Sequence, residues 1–197
     1  MTITKYKFVV VHGRFQPFHN EHLAYIKWAQ NWGEHLFIGI TNFSRLDIKI
    51  EPKSQHRHTL LANPFTFWER ALMIKDALLD EGFASSDFTI VPLPIDTLEK
   101  WPEFIPTDPI DTVHAVRIFS EWEQEKVSRL EQAKYKVITN SCSFKLLSAS
   151  EIRKQIANDE INSLKVPAAV KIWLKVFNST NRINSLIDLQ ESAHIQV

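Results

Sequence analysis

The chain has 197 residues, room for one ordinary domain with a sizeable core and a tight fit for two. Apolar residues make up 44% and 23 Lys and Arg balance 23 Asp and Glu, so the chain reads as globular, without the positive excess of a general nucleic-acid binder. Cys142 is the only cysteine, which excludes an intrachain disulfide; no stretch approaches the ~20 apolar residues of a membrane helix, and the N-terminus lacks a signal-peptide pattern. The expected setting is cytoplasmic, with no membrane and no nucleic acid as partner.

In chain order, residues 6–11 are β-branched and aromatic and predict a strand. Residues 20–32 place Tyr25, Trp28, Ala29 and Trp32 at helical spacing. A second strand is expected over 35–41, then a long polar loop over 42–63. Residues 64–82 predict a helix: Thr66 and Glu69 have capping-box spacing, Gly82 stands at the C-terminal stop, and Trp68, Ala71, Leu72, Leu78 and Leu79 are expected to face the core. Strands follow over 88–95, 111–116 and 135–139, the last two separated by a charged amphipathic helix over 117–133. Short helices are expected over 148–158 and 167–177, the latter with Val170, Trp173, Leu174 and Phe177 on one stripe. Residues 178–197 carry weak signals and are read as a C-terminal tail to a domain over 1–177. Strands alternating with helices imply an α/β fold, a Rossmann-like doubly wound parallel sheet of about five strands with helices on both faces. Ligands of such sheets bind beyond the carboxyl ends of the strands, near the switch point.

The stretch "GRFQPFHNEH" lies where the first strand hands over to the first helix. His19 and His22 are three apart and share a helix face in the first turn, where backbone N–H groups and the helix dipole favour an anion. Gly13 permits close approach of a ligand, and Arg14 adds a permanent charge suited to phosphate. Together they describe a phosphate cradle, although one histidine as a helix cap and the other as a surface residue is an equally simple reading of the pair alone. No third ligand stands at metal-binding spacing, so no protein metal site is expected.

This stretch resembles the phosphate-binding signature of the HxGH nucleotidylyltransferase superfamily, and is most similar to archaeal-type nicotinamide mononucleotide adenylyltransferases. "NPFTFWER" from Asn63 and "LSASEIRKQI" with the downstream "VPAAV" resemble two further blocks of that family, in the same order. The resemblance implies transfer of AMP from ATP to nicotinamide mononucleotide, giving NAD and pyrophosphate. It implies catalytic roles for His19, His22, Arg14 and Arg153, the last holding the leaving pyrophosphate. It places nucleotide contacts at Gly13, Phe15, Gln16, Phe18, Ser148, Ser150 and Ile152. Mg²⁺ is expected to arrive with the triphosphate, held by phosphates and water. The family's archaeal members are commonly oligomers, so a homo-oligomer is a further expectation.

Some of these residues have a second reading. Ser148 with Glu151 also has capping-box spacing. Arg57, in the basic stretch "EPKSQHRHTLLA", either closes over phosphates or is a solvated loop arginine. Glu21 replaces the signature glycine and puts negative charge near an anion site; on a helix it is about 100° round from His22. The family's acceptor-side segments match loosely: "LEKW" ends at Trp101, which either stacks on a flat ring or belongs to the core, and "HAVRIF" begins at His114. Trp101, His114 and Arg57 are therefore the acceptor-side candidates. Two alternatives to the adenylyl reading stand. One is the same chemistry with CTP and another phosphate or phosphonate acceptor, and the other is a nucleotide-binding module without catalysis.

Overall fold

The computed structural model describes residues 5–44, 59–119, 121–141 and 147–195. Five strands form one all-parallel sheet in the order β3-β2-β1-β4-β5, where β1 is Tyr6–Gly13, β2 Gly33–Ile40, β3 Phe88–Pro92, β4 Thr112–Ile118 and β5 Lys136–Ser141. The helices are α1 Asn20–Ala29, α2 Phe67–Asp80, α3 Glu121–Gln132, α4 Ala149–Ala157, α5 Ala168–Val176 and α6 Ser179–Ile195. None of the described helices is long and apolar enough to cross a membrane.

The central strand is apolar on both faces because both are covered. Val9 and Val11 point into a core shared with α1, α2, α4, α5 and Ile183 of α6. Val10 points into a second core built from Trp101, Val116, and Val127 and Leu130 of α3. The chain runs outward from β1 through β2 to β3 and then returns to lay β4 on the other side of β1, so the switch point lies between β1 and β4. Their register pairs Phe8 with Thr112, Val9 with Val113 and Val10 with His114 and stops there, although β1 continues to Gly13 and β4 to Ile118. The carboxyl ends of these two strands stand apart, and the cleft opens between them.

Three expectations are corrected. The buried residues of α2 are Glu69, Arg70, Met73, Ile74, Ala77 and the expected Leu78, whereas Trp68 is 56% and Leu79 39% exposed. Helix α3 begins at Glu121 rather than at residue 117, which leaves Arg117 on the end of β4. Residues 179–195 are helical: Ile183 is buried, and Arg182 reaches Glu69 of α2 at 2.8 Å, so this segment is stitched to the domain. Its apolar periodicity is weak, and a partly buried ion pair carries part of the attachment.

The tightest backbone approach is at Gly33. A Cβ there would lie 2.7 Å from the backbone nitrogen of Val9 and 2.8 Å from its Cβ, neither of which is free to move within the central strand. Gly33→Ala is expected to lower stability by about 1–3 kcal/mol, read as a shifted urea midpoint with an unchanged slope.

Candidate active site

The cleft encloses about 250 Å³ and is lined by the end of β1, the turn that follows it, the first turn of α1, the end of β4 and one face of α3. Its central piece is the turn from Gly13 to His19. Phe15 adopts φ 52°, a left-handed backbone costly for a bulky residue. The turn keeps this conformation because distant side chains hold it. Gln16 pairs both ends of its amide with Phe65, donating to the carbonyl at 2.9 Å and accepting from the N–H at 3.0 Å. Arg70 of α2 donates to the carbonyl of Arg14 at 2.7 Å, and to those of Thr41 and Asn42 at 2.9 Å each. Arg153 of α4 donates to the carbonyl of Gln16 at 2.7 Å. Burial and the nearby charge of Arg14 bring the Arg70 guanidinium down to about 9, and burial brings that of Arg153 down to about 10. Both remain cations at neutral pH.

His19 and His22 rise from this base. His19 precedes α1 in extended conformation, and its ring stacks on that of His22 with centroids 3.6 Å apart. Phe15 meets the edge of His22 at 4.9 Å and Phe18 stacks on it at 5.7 Å, so the two imidazoles have little rotational freedom. The first turn of a helix leaves N–H groups that the helix itself does not use. That of Asn20 donates to the carbonyl of Lys165 at 3.2 Å, while Glu21 and His22 belong to the cleft wall. Arg14 lines the same wall, and Arg117 crosses from β4 to donate to the backbone carbonyl of Glu21 at 3.1 Å. The arrangement can bind a polyphosphate and stabilise charge that develops on it.

The other expected residues divide. Gly13 and Phe15 line the cleft, as does the side of Gln16, but the Gln16 amide is committed to Phe65. Phe18 and Ile152 are core residues, 0% and 1% exposed. Ser148 accepts from the Glu151 N–H at 3.1 Å and caps α4, the simpler of its two readings. Ser150 accepts from Arg153 at 3.1 Å, and Ala149 is the residue of α4 that reaches the cleft. Trp101 and His114 are both 0% exposed and stack on each other at 5.4 Å. Trp101 donates through Nε1 to the Pro94 carbonyl at 2.8 Å, so it is core and its His114-covered face receives no ligand ring. Burial holds the His114 imidazole down to about 3. Arg57 lies outside the described residues.

A cytidylyltransferase-like family model matches residues 10–185. The chain belongs to the cytidylyltransferase-like family. It is 29% identical to a phosphonoformate cytidylyltransferase from Streptomyces viridochromogenes, over 89% of this chain and 95% of that enzyme. It is 30% identical to a nicotinamide-nucleotide adenylyltransferase from Thermococcus sibiricus, over 91% of this chain and 90% of that enzyme. Among solved structures, a bifunctional NMN adenylyltransferase/ADP ribose pyrophosphatase from Francisella tularensis shares the fold with a TM-score of 0.70 at 21% identity; 95% of this chain covers 54% of that one.

Within this cytidylyltransferase-like cleft, sequence reasoning missed Arg70, His12, Arg117 and Lys126. Arg70 was legible only as part of a helix-start motif, and its burial among carbonyls has no local signal. Arg117 and Lys126 both fall within the amphipathic pattern over 117–133; the position of Arg117 at a strand end, next to the site of a parallel sheet, is the available clue. Removing the Arg70 guanidinium strands several buried carbonyls at once. Arg70→Met is expected to lower stability by about 3 kcal/mol or more, measured by denaturant unfolding. Arg70→Lys, which keeps the charge but not the fork, is expected to fold and to bind triphosphate more weakly than the parent.

Proposed function

We propose that this protein is a nucleotidyltransferase that transfers AMP from ATP to nicotinamide mononucleotide, forming NAD and releasing pyrophosphate. The observation that carries this reading is the stacked pair His19 and His22 at the first turn of α1, on a turn braced from three directions at the switch point. The names of several relatives, nicotinamide-nucleotide adenylyltransferases of archaeal species, support the substrates.

An acceptor phosphate oxygen attacks the α-phosphorus in line. The new P–O bond forms as the bond from the α-phosphorus to its bridging oxygen breaks, and pyrophosphate leaves with the electron pair. The acceptor is already ionised at neutral pH, so no general base is required. The chain contributes position and charge stabilisation. His19 and His22 donate to triphosphate oxygens, the first turn of α1 supplies N–H groups, and Arg14 faces the same oxygens. Arg153 and Arg70 act as positioning residues, since their fixed hydrogen bonds are to the turn itself. Mg²⁺ fits as an ion carried by the nucleotide. The cleft carboxylates Glu21, Asp96 and Glu123 do not gather into a three-ligand group among the described residues, so its oxygens would come from phosphates and water. When bound, it neutralises triphosphate charge.

A second reading keeps the chemistry and takes CTP with a phosphonate acceptor. The Streptomyces relative's name supports it, as does the withdrawal of Trp101 into the core, which leaves the cleft without that aromatic platform. Pyrophosphate release with Mg²⁺, offering ATP or CTP with nicotinamide mononucleotide or phosphonoformate and weighing the product, separates the two. His19→Ala and His22→Ala are each expected to lower kcat by about 10²–10³-fold in the pair that turns over. Release of no pyrophosphate from any pair would overturn nucleotidyl transfer.

A further inference from the structure

The wall of the cleft between β1, β4 and α3 carries polar groups beyond the histidine pair and Arg14. His12, one residue before Gly13, lines the cleft and is only 5% exposed, yet its Nε2 has no hydrogen-bond partner among the described residues. Behind it, Trp101 and His114 meet its ring at 5.6 and 6.4 Å, so it cannot retreat into the core. Lys126 extends from α3 into the same wall and also lines the crevice behind it, against Trp101. Arg117 closes the wall from the end of β4.

These groups disfavour one another's charge. Burial and the charge of Lys126 hold the His12 imidazole well below its usual range, so it is neutral. Burial brings the Lys126 ammonium down to about 7, against the opposing pull of Glu123 one turn earlier. A buried polar nitrogen without a protein partner is costly, and partial burial likewise disfavours the charged form of Lys126. A ligand oxyanion between them relieves both, by accepting a hydrogen bond from the imidazole and supplying the counter-charge for the ammonium.

We propose that His12, Arg117 and Lys126 form an acceptor-side subsite that holds an oxyanion of the acceptor, and that Lys126 is its principal acceptor-binding residue. This rests on the nucleotidyl-transfer reading and holds for either acceptor, since phosphate, phosphonate and carboxylate share the oxyanion. The competing source of an oxyanion is the terminal phosphate of the triphosphate, and the test separates the two.

The experiment is steady-state kinetics of the wild type, Lys126→Met, Lys126→Arg and His12→Phe with the pair that turns over among Mg·ATP or Mg·CTP and nicotinamide mononucleotide or phosphonoformate. Calorimetric binding of the same triphosphate confirms that each variant is folded. Lys126→Met is expected to raise the acceptor KM by about 10- to 100-fold while the triphosphate KM stays within about twofold. Lys126→Arg is expected to restore most of the loss, and His12→Phe to raise the acceptor KM by about tenfold. An equal or larger rise in the triphosphate KM would assign the subsite to the triphosphate and overturn the proposal, as would an unchanged acceptor KM in Lys126→Met. Absence of turnover in the wild type with every pair would instead overturn the nucleotidyl-transfer reading on which the proposal stands.

Discussion

The site depends on the way a short backbone turn is held by guanidinium groups from elsewhere in the chain. Between β1 and α1 the backbone passes through a left-handed residue, Phe15, and delivers His19 to the start of a helix. Arg70 and Arg153 donate to the carbonyls of Arg14 and Gln16, and the Gln16 side chain clasps Phe65. Hydrogen bonds from charged donors contribute about 1.5–3 kcal/mol each, enough to hold a strained turn that local preferences would relax. The carbonyls of the turn point inward to these cations, so its other surface faces the cleft.

The same arginines join the fold to the chemistry. Arg70 also takes the carbonyls of Thr41 and Asn42 at the end of β2, so one buried cation ties two strand ends and α2 together. Its neighbour Glu69 completes the capping box of α2, with the Thr66 N–H donating to it at 2.8 Å, and accepts from Arg182 of α6. A turn fixed in this way is preorganised, and preorganised donors need little reorganisation when charge develops on a bound group.

The two sides of the cleft follow different rules. The cradle side uses backbone geometry and residues whose partners are protein groups. The side toward β4 and α3 is made of side chains, and here Trp101 and His114 occupy each other in the core while His12, Arg117 and Lys126 face the open space. A neutral imidazole, an ammonium and a guanidinium make a polar wall. The two sides of the cleft are thus built from different elements, and membership of the cytidylyltransferase-like family speaks to the shared chemistry more than to the acceptor.

The linear sequence determined the alternation of strands and helices, the parallel sheet, the capping box of α2 and the strand-to-helix turn that lines the cleft, because each rests on spacing of a few residues. Glycine at a turn, histidines three apart and apolar periods of two or three to four residues act locally and can be read locally. The phase of the α2 stripe, the start of α3 and the helix after residue 178 could not be read this way. Each goes with a polar contact to a distant partner: Arg70 with the strand-end carbonyls, Arg117 with the carbonyl of Glu21, Arg182 with Glu69. Only the tertiary structure decided that Trp101 is core, that Gln16 and Arg153 brace the turn, and that His12 and Lys126 share one wall of the cleft. Burial and hydrogen-bond partners are properties of residues brought together across the sheet, and no short-range pattern encodes them.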